Sequence, residues 1–387
     1  MSWFSPEWLA VARRPHFTKL TMSPTHLGRT QKLISRKVAK TRIFSLPFFL
    51  CDSSSLHETF SCPVSQDFID KVRIGAIIML RHALITLSHS NKMQRLTRDF
   101  PPARRVARRF VAGEKREDAL TVIKQLNDMG AFVTLDYLGE HVCDKRLARA
   151  SAEEYKTVLS EIAENSLKSG VSLKLSAMGL HIDIEFCYET AREIVALASE
   201  KKRFVRIDME ESALVNITLA LYRRLRKDFD NVGVVLQAYL HRTRDDLQGL
   251  IDDGIADVRL VKGAYDEPPE IAWQDREKIQ KEIIALAEMM LSPEARDRGA
   301  RMALGSHDDV VYNEVIRFAS ENDIDPQSWE IQFLYGIRRD ELKRLLSQGV
   351  RMRVYVPYGE SWYPYFMRRL AERPANLMFF LRAAAGK

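Results

Sequence analysis

Some charged residues of this chain lie within short apolar segments, in which most side chains are expected to be buried. Lys174 lies inside one such segment and Asp208 ends another. Burial lowers the pKa of a lysine and frees its amine, so Lys174 could form a Schiff base with a carbonyl substrate, as in an aldolase. Alternatively, Lys174 pairs with a carboxylate such as Asp208 or binds an anionic substrate. The residue types leave both kinds of chemistry open.

Two adjacent arginines, Arg368 and Arg369, lie in the last predicted helix. A guanidinium fork matches a carboxylate bidentately, so the pair could clamp an acidic substrate. Glu372 lies at helical spacing from both, which also fits a surface salt bridge worth only about 0.3 to 0.5 kcal/mol. Tyr265 and Tyr355 have similar alternatives, because a strand-end tyrosine either lines a pocket or packs in the core with its hydroxyl satisfied.

Two common kinds of site are not expected from the motifs. The chain has no glycine-rich phosphate loop of the dinucleotide or nucleoside triphosphate type, and its histidines lack the HExxH spacing of zinc enzymes. We therefore expect no metal, and any nucleotide cofactor must be held by other loops.

Eight short β-branched segments alternate with amphipathic helical stretches. The segments are residues 132–137, 172–177, 205–209, 232–238, 257–263, 300–306, 329–334 and 351–357. This alternation predicts parallel strands joined by helices, and eight such units close into a (β/α)8 barrel of the TIM type. Side chains near the carboxyl ends of the strands converge on the catalytic face: Asp136, Lys174, Asp208, Gln237, Arg259, Lys262, Ser306, Gln332 and Tyr355.

Three regions are predicted along the chain: a basic, disordered tail over residues 1–66, a helical segment over 67–130 and the barrel over 131–387. The barrel helices are predicted over residues 145–169, 183–200, 212–228, 242–253, 269–291, 308–323, 338–348 and 361–373. Helices are also expected at 68–89, 103–110 and 116–129.

The net positive charge of the chain is carried by the tail. Residues 1–42 hold nine lysines and arginines and one acidic residue, whereas the whole chain has 59 basic and 52 acidic residues. The remainder is therefore near neutral, and no nucleic-acid partner is expected. The tail is interpreted as a transit peptide, a secretory signal or a translated leader upstream of a start at Met79. The apolar run at 43–51 is too short to span a membrane.

Eight motifs in order resemble the proline dehydrogenase family: LKLSAMG, RIDMEES, LQAYLHRT, RLVKGAY, GSHDD, FLYGI, VYVPYG and MRRLAERPAN, with LDYLGE before them. The resemblance runs from about residue 116 to 382 and is greatest to the short monofunctional bacterial enzymes. It implies a distorted β/α barrel that binds FAD and oxidises L-proline to Δ1-pyrroline-5-carboxylate, with electrons passing to a membrane quinone.

The resemblance also implies roles for individual residues. Arg368 and Arg369, aided by Lys174, would hold the proline carboxylate, and Asp208 would position these cations. The ring would pack against Tyr265, Tyr355 and Leu334.

The residues that the resemblance assigns to FAD follow the strands. Arg259 and Gln237 would contact the isoalloxazine, and the backbone of Val261, Gly263 and Ala264 would line it. Ser306 and His307 would reach the dinucleotide, and Glu372 a ribose hydroxyl. Asp266 departs from the aromatic residue that longer members often carry there.

Two alternatives within the resemblance are a hydroxyproline dehydrogenase and a catalytically silent flavin-binding module. The hydroxyl of Tyr355 would crowd a ring substituent, and the intact Arg368, Arg369 and Lys174 argue against a silent protein. The protein is expected in the cytoplasm, peripheral on the inner face of the cell membrane, or in mitochondria if residues 1–66 are a transit peptide. The LMFF run at 377–380 is interpreted as core.

Overall fold

The computed structural model describes residues 107–372 of the chain. The predicted tail at 1–66, the helix at 68–89 and the LMFF run lie outside the described residues, as does the first half of the helix at 103–110. The remaining predictions for the barrel can be compared with the structure.

Eight parallel strands close into one barrel, which confirms the predicted fold class. The strands are β1 (Phe132–Tyr137), β2 (Ser169–Leu173), β3 (Val205–Ile207), β4 (Val232–Gln237), β5 (Asp257–Val261), β6 (Arg301–Gly305), β7 (Glu330–Leu334) and β8 (Met352–Tyr358). Each strand pairs with the next along the chain, and β1 pairs with β8, with Thr134 opposite Tyr355. The carboxyl ends of all eight strands therefore surround one opening.

The helices around and before the barrel are α1 (Arg116–Asp128), α2 (Lys145–Glu164), α3 (Ile184–Glu200), α4 (Val215–Arg226), α5 (Thr243–Asp252), α6 (Arg276–Leu291), α7 (Pro293–Asp297), α8 (Asp309–Glu321), α9 (Arg339–Ser347) and α10 (Trp362–Glu372). Several begin at a residue whose side chain accepts a backbone N–H of the first turn, such as Asp144 before α2 and Asp183 before α3. Such caps satisfy donors that have no partner within the helix.

Strand periodicity places polar residues inside the barrel. Val133 and Leu135 are fully buried in the apolar core, whereas the alternate residues Thr134 and Asp136 are buried polar side chains. Successive side chains of a strand point to opposite faces, so the apolar set packs under the helices and the polar set faces the barrel axis. This alternation creates a charged interior.

The predicted second strand, residues 172–177, is wrong in its position. The strand covers Ser169–Leu173, and residues 175–178 form a 3-10 turn after Lys174. The early start requires Gly170, since a Cβ there would lie 2.3 Å from the carbonyl oxygen of Phe204. The helix predicted to reach residue 169 accordingly ends at Glu164.

The connection between β5 and α6 also differs from the prediction. β5 ends at Val261 rather than at residue 263, and the helix expected from residue 269 begins only at Arg276. Pro268 and Pro269 lack the N–H groups that a helix uses, and Asp275 caps the helix that follows. Residues 262–275 are thus a long loop at the carboxyl-terminal opening.

Helix α7 was not predicted, and the other boundaries differ by a few residues.

Candidate active site

Lys174 lies at the centre of a buried acidic cluster. It follows β2, and its Nζ lies 3.1 Å from Asp136 Oδ2, 3.6 Å from Asp208 Oδ2 and 3.9 Å from Glu140 Oε1. Burial by itself would lower the pKa of Lys174, but the attraction of Asp136 and Asp208 outweighs burial and raises it. The amine therefore holds its proton, which disfavours the Schiff-base alternative and favours binding of an anion.

Asp208 joins four strands through its side chain. Its carboxylate accepts a close hydrogen bond from Arg259 on β5, one of 2.8 Å from the Tyr355 hydroxyl on β8, and one of 3.1 Å from Ser172 Oγ on β2. Burial favours the neutral acid, but Arg259 and Lys174 hold the pKa of Asp208 below its usual value. Asp208 is therefore a fixed negative charge that orients the cations around it.

Asp136 differs from Asp208 although both contact Lys174. Burial raises the pKa of Asp136, and the attraction of Lys174 only partly opposes this, while the charge of Asp208 adds to it. The two carboxylates thus have pKa values shifted in opposite directions, an arrangement that is common in sites that handle protons and charge.

Arg368 joins α10 to the loop after β1. Its guanidinium donates to Glu140 in that loop, with Nη2 2.9 Å from Oε1. Burial works against the charge of Arg368, but Glu140 raises its pKa. Lys174 lies 3.9 Å from the same oxygen of Glu140, so Arg368 lies next to the buried cluster. Arg369 stacks its guanidinium 5.3 Å from the ring centre of Tyr365.

The predicted aromatic and apolar residues surround this charged cluster. Tyr355 is buried, and its ring lies 5.2 Å below the Arg259 guanidinium. Tyr265 is half-buried in the loop after β5, and burial together with the nearby charge of Glu140 raises its pKa. Leu334 is half-buried at the end of β7. Tyr355 is therefore the buried member of the three, and Tyr265 and Leu334 stay partly accessible.

The residues assigned to the cofactor occupy the ends of β4 and β5. Gln237 is buried and donates 3.2 Å to the backbone oxygen of Glu210, while its Oε1 has no hydrogen-bond partner within residues 107–372. Val261 O accepts from the backbone N–H of Ala238, just after β4, and Gly263 has a φ of +111°. A Cβ at Gly263 would lie 2.2 Å from the Tyr239 ring, so only glycine fits there. Ala264 is exposed.

The loop after β6 holds the other predicted cofactor residues. Ser306 Oγ accepts from the backbone of Asp308 at 3.1 Å. His307 Nε2 accepts the N–H of Leu334 at 2.9 Å, so its other ring nitrogen carries the proton. Glu372 ends α10, and its side chain lies outside the described part of the chain.

One expectation for the strand ends needs correction, and one buried carboxylate of the site was not predicted. Lys262 follows β5 with an exposed side chain rather than joining the convergent cluster. Glu210 is 1% exposed and accepts hydrogen bonds from the backbone N–H and the hydroxyl of Ser176. Burial raises the pKa of Glu210. It therefore joins the loops after β2 and β3 inside the site.

Two residues at the site were not candidates from the sequence, Glu140 and Ser172, and Asp136 was placed on the catalytic face without a specific role. Asp136 and Glu140 lie in the LDYLGE motif, so this motif could have identified both as site residues. Ser172 was placed inside a strand with no sign that its hydroxyl donates to Asp208 and accepts from Arg259.

Neither a membrane-spanning helix nor a metal cluster is found in the part of the chain that the structure describes. No helix within residues 107–372 has the length and apolar character to cross a membrane. No group of three or more His, Cys, Asp and Glu side chains in that range is arranged to hold a metal ion.

Comparison with known proteins gives one consistent result. The sequence model of the family described as proline dehydrogenase matches residues 119–382. The chain is 38% identical over 309 residues to proline dehydrogenase 1 of Bacillus subtilis, which covers 80% of this chain and 100% of that protein. It is 35% identical over 309 residues to the proline dehydrogenase of Deinococcus radiodurans, covering 79% and 97%.

Solved structures share the fold. Proline utilization A (PutA) from Bdellovibrio bacteriovorus, solved after inactivation by N-propargylglycine, superposes with a TM-score of 0.68 at 22% identity. The match covers 89% of this chain and 40% of that one. At this identity the likeness concerns the barrel architecture alone.

Proposed function

This chain belongs to the proline dehydrogenase family and is an oxidoreductase of proline metabolism, and from that premise we propose that it oxidises L-proline to Δ1-pyrroline-5-carboxylate with FAD as cofactor. The observation that carries the proposal is the buried group of Lys174, Asp208 and Arg259 beneath Arg368. Such a site presents fixed positive charge to an amino acid's carboxylate in a partly dry pocket.

The residues at the ends of β4 and β5 fit a flavin. The unpartnered Oε1 of Gln237 is a buried acceptor suited to a ring N–H, and the backbone at Gly263 leaves room where a side chain would clash with Tyr239. Gln237, Arg259 and the backbone from Val261 to Ala264 would hold the ring system, and Ser306 and His307 the dinucleotide. FAD, when bound, supplies the hydride acceptor that no side chain provides.

The substrate carboxylate would bind Arg368 and Arg369, with Lys174 as a third cation. Arg368 would exchange Glu140 for this carboxylate, because both ligands accept from the same guanidinium. Lys174 keeps its proton and can donate it in a hydrogen bond, while Asp136 and Asp208 fix its position. Orientation of this kind lowers the barrier by holding the reacting atoms close together.

Tyr355 supports proline rather than hydroxyproline as the substrate. Its hydroxyl is held 2.8 Å from Asp208 Oδ2, so it cannot turn away from a ring substituent without breaking a buried hydrogen bond. Tyr265 and Leu334 would cover the remaining ring surface and exclude water.

The electron acceptor would be a membrane quinone, which requires the protein to approach a membrane from the cytoplasmic side. The support is the family membership and the barrel mouth, where Tyr265 and the loop at 262–275 are accessible. A mitochondrial location is the alternative if residues 1–66 direct import.

The test is anaerobic addition of L-proline to the purified protein. We expect flavin absorbance that is bleached by proline and released as intact FAD on denaturation. Absence of flavin from repeated preparations would reject the cofactor, and flavin that proline does not reduce would favour the silent module. Reduction by hydroxyproline at a higher kcat/KM than by proline would favour the other substrate.

A further inference from the structure

A second cavity of about 650 Å³ opens at the amino-terminal ends of the strands, opposite the proposed active site. Its wall includes Arg301 and Glu330, the first residues of β6 and β7, and Arg353 near the start of β8. In barrels of this class catalysis occurs at the other face, so a ligand here would not be a substrate. The volume is within the range of small-molecule pockets.

The cavity is strongly cationic. Six arginines line it: Arg206, Arg259, Arg296, Arg301, Arg351 and Arg353. Three acidic residues line it as well: Asp257, Asp325 and Glu330. Arginine is therefore in excess on the wall of a single cavity.

Two of the three acidic residues pair with arginines, whereas the carboxylate of Asp325 accepts from the backbone N–H of Gln327. Asp257 accepts from Arg206 at 2.8 Å, and Glu330 accepts from both Arg353 at 2.6 Å and Arg351 at 3.3 Å. Within the described range 107–372, Arg296 and Arg301 form no ion pair with a carboxylate. Both lie at the exposed rim, and Arg296 is brought there by α7.

Buried donors without partners lie deeper in the same cavity. Trp329 is 5% exposed, and its indole N–H has no hydrogen-bond partner in the described residues. Arg259 is equally buried, and its Nε is without a partner although both of its other nitrogens are bonded. A buried donor that lacks an acceptor is destabilising, and a shift of either side chain toward the cavity would let an oxygen-rich ligand satisfy it.

We propose that this basal cavity binds a small phosphate-bearing anion with at least two negative charges. Exposed arginines at the rim attract such an anion and donate hydrogen bonds to its oxygens. Tetrahedral phosphate accepts from several directions, which suits guanidinium groups arranged around a cavity better than a single planar carboxylate does. The ligand would take no part in the proposed proline oxidation, although Arg259 lies on the cavity wall and also donates to Asp208.

The test is calorimetric titration of the holoenzyme with inorganic pyrophosphate at constant ionic strength. We expect saturable binding at one site per chain. The double variant Arg296→Gln/Arg301→Gln should weaken it about tenfold or more, since each charged donor contributes strongly. The control is Arg298→Gln, an exposed arginine of the same segment that pairs with Asp252 and does not line the cavity. It should bind pyrophosphate as the unaltered protein does.

Three results would overturn the proposal. The first is no saturable binding of pyrophosphate at millimolar concentration. The second is an affinity that is unchanged in the double variant but lost in Arg369→Gln, which would place the anion in the active site. The third is binding of citrate but not of pyrophosphate, which would exclude the phosphate class. Proline turnover of the double variant should equal that of the unaltered enzyme, since neither arginine contacts the proposed active site.

Discussion

Lys174 and Asp136 form an ion pair inside the barrel, with Nζ 3.1 Å from Oδ2 and side chains that are only 10% and 1% exposed. Two charges removed from water depend on each other, because either one left alone is poorly solvated. The pair therefore links the stability of the barrel to the orientation of the cation proposed to bind substrate.

Lys174→Met should destabilise the fold and impair turnover. Removing one partner of a buried pair costs about 3 kcal/mol or more, because the carboxylates that face Lys174 stay buried. Urea denaturation measures the effect, and Lys124→Met is the control. Lys124 pairs with Asp128 at 2.9 Å on the surface, where such a pair contributes less than about 1 kcal/mol. Equal denaturation midpoints for the two variants would contradict the structural importance of the Lys174 pair.

Arg368→Ala and Arg369→Ala should leave the fold largely intact and impair use of proline. Loss of a charged partner from a bound carboxylate costs about 2 to 5 kcal/mol, which is tens to thousands of fold in kcat/KM. The measurement is steady-state kinetics with an artificial electron acceptor. Arg344→Ala removes an exposed arginine paired with Glu341 and should change little. Near-normal efficiency of either active-site variant would remove that residue from the clamp.

Tyr355→Ser should narrow the preference for proline over hydroxyproline. The substitution removes both the ring that packs on the substrate and the hydroxyl bonded to Asp208. Tyr355→Phe separates the two effects, since it keeps the ring and loses only the hydroxyl. The ratio of the two kcat/KM values is the readout, and a ratio that stays constant in both variants would show that Tyr355 does not distinguish the rings.

Acid should destabilise the base of the barrel through Glu330. Burial would raise its pKa, but Arg353 dominates and lowers the value from 4.5 to about 2. A carboxyl whose folded pKa is depressed stabilises the protein above its unfolded pKa and loses that contribution as pH falls through the folded value. The contribution is about 3 kcal/mol, lost between pH 4.5 and about 2.

Unfolding free energies measured between pH 5 and pH 3 test this. Glu330→Gln should be less stable than the unaltered protein at pH 5, and the difference should shrink as pH falls. Glu314→Gln, at an exposed pair with Arg317, is the control. A difference that is constant across this range would show that Glu330 ionisation does not stabilise the fold.

Gly263→Ala should weaken flavin retention. A Cβ at this position would lie 2.2 Å from the Tyr239 ring, and the φ of +111° is unfavourable for any other residue. Gly299→Ala is a matched control, because its φ of +82° carries the same backbone penalty but nothing lies within 4 Å of its Cβ. Flavin content after gel filtration is the measurement, and equal retention by both variants would remove Gly263 from the cofactor loop.

The sequence predicted the number and order of the strands because each β-branched segment is buried under helices, so its composition reflects its environment. The prediction of the strand position failed at β2. There the alternation of apolar residues continues through Lys174 into residues that form a 3-10 turn. The close approach of Gly170 to Phe204 decides this boundary, and that contact is between distant parts of the chain.

The candidate site was predictable where a motif or a strand end marked it, as for Lys174 and Asp208. Glu210 was not predicted because its burial depends on Ser176, which lies 34 positions earlier and reaches it only after β2 and β3 have paired. Pairings of this kind leave no local pattern in a sequence.

Closure of the barrel between β1 and β8 also constrains how the protein is made. Arg353 donates to the carbonyl oxygen of Val133, 220 positions earlier. During synthesis, β1 therefore emerges from the ribosome long before its partner and presents an unpaired edge to other nascent chains. Production in cells should consequently depend on chaperones that shield the incomplete barrel, and slower translation would prolong the interval in which that edge can aggregate.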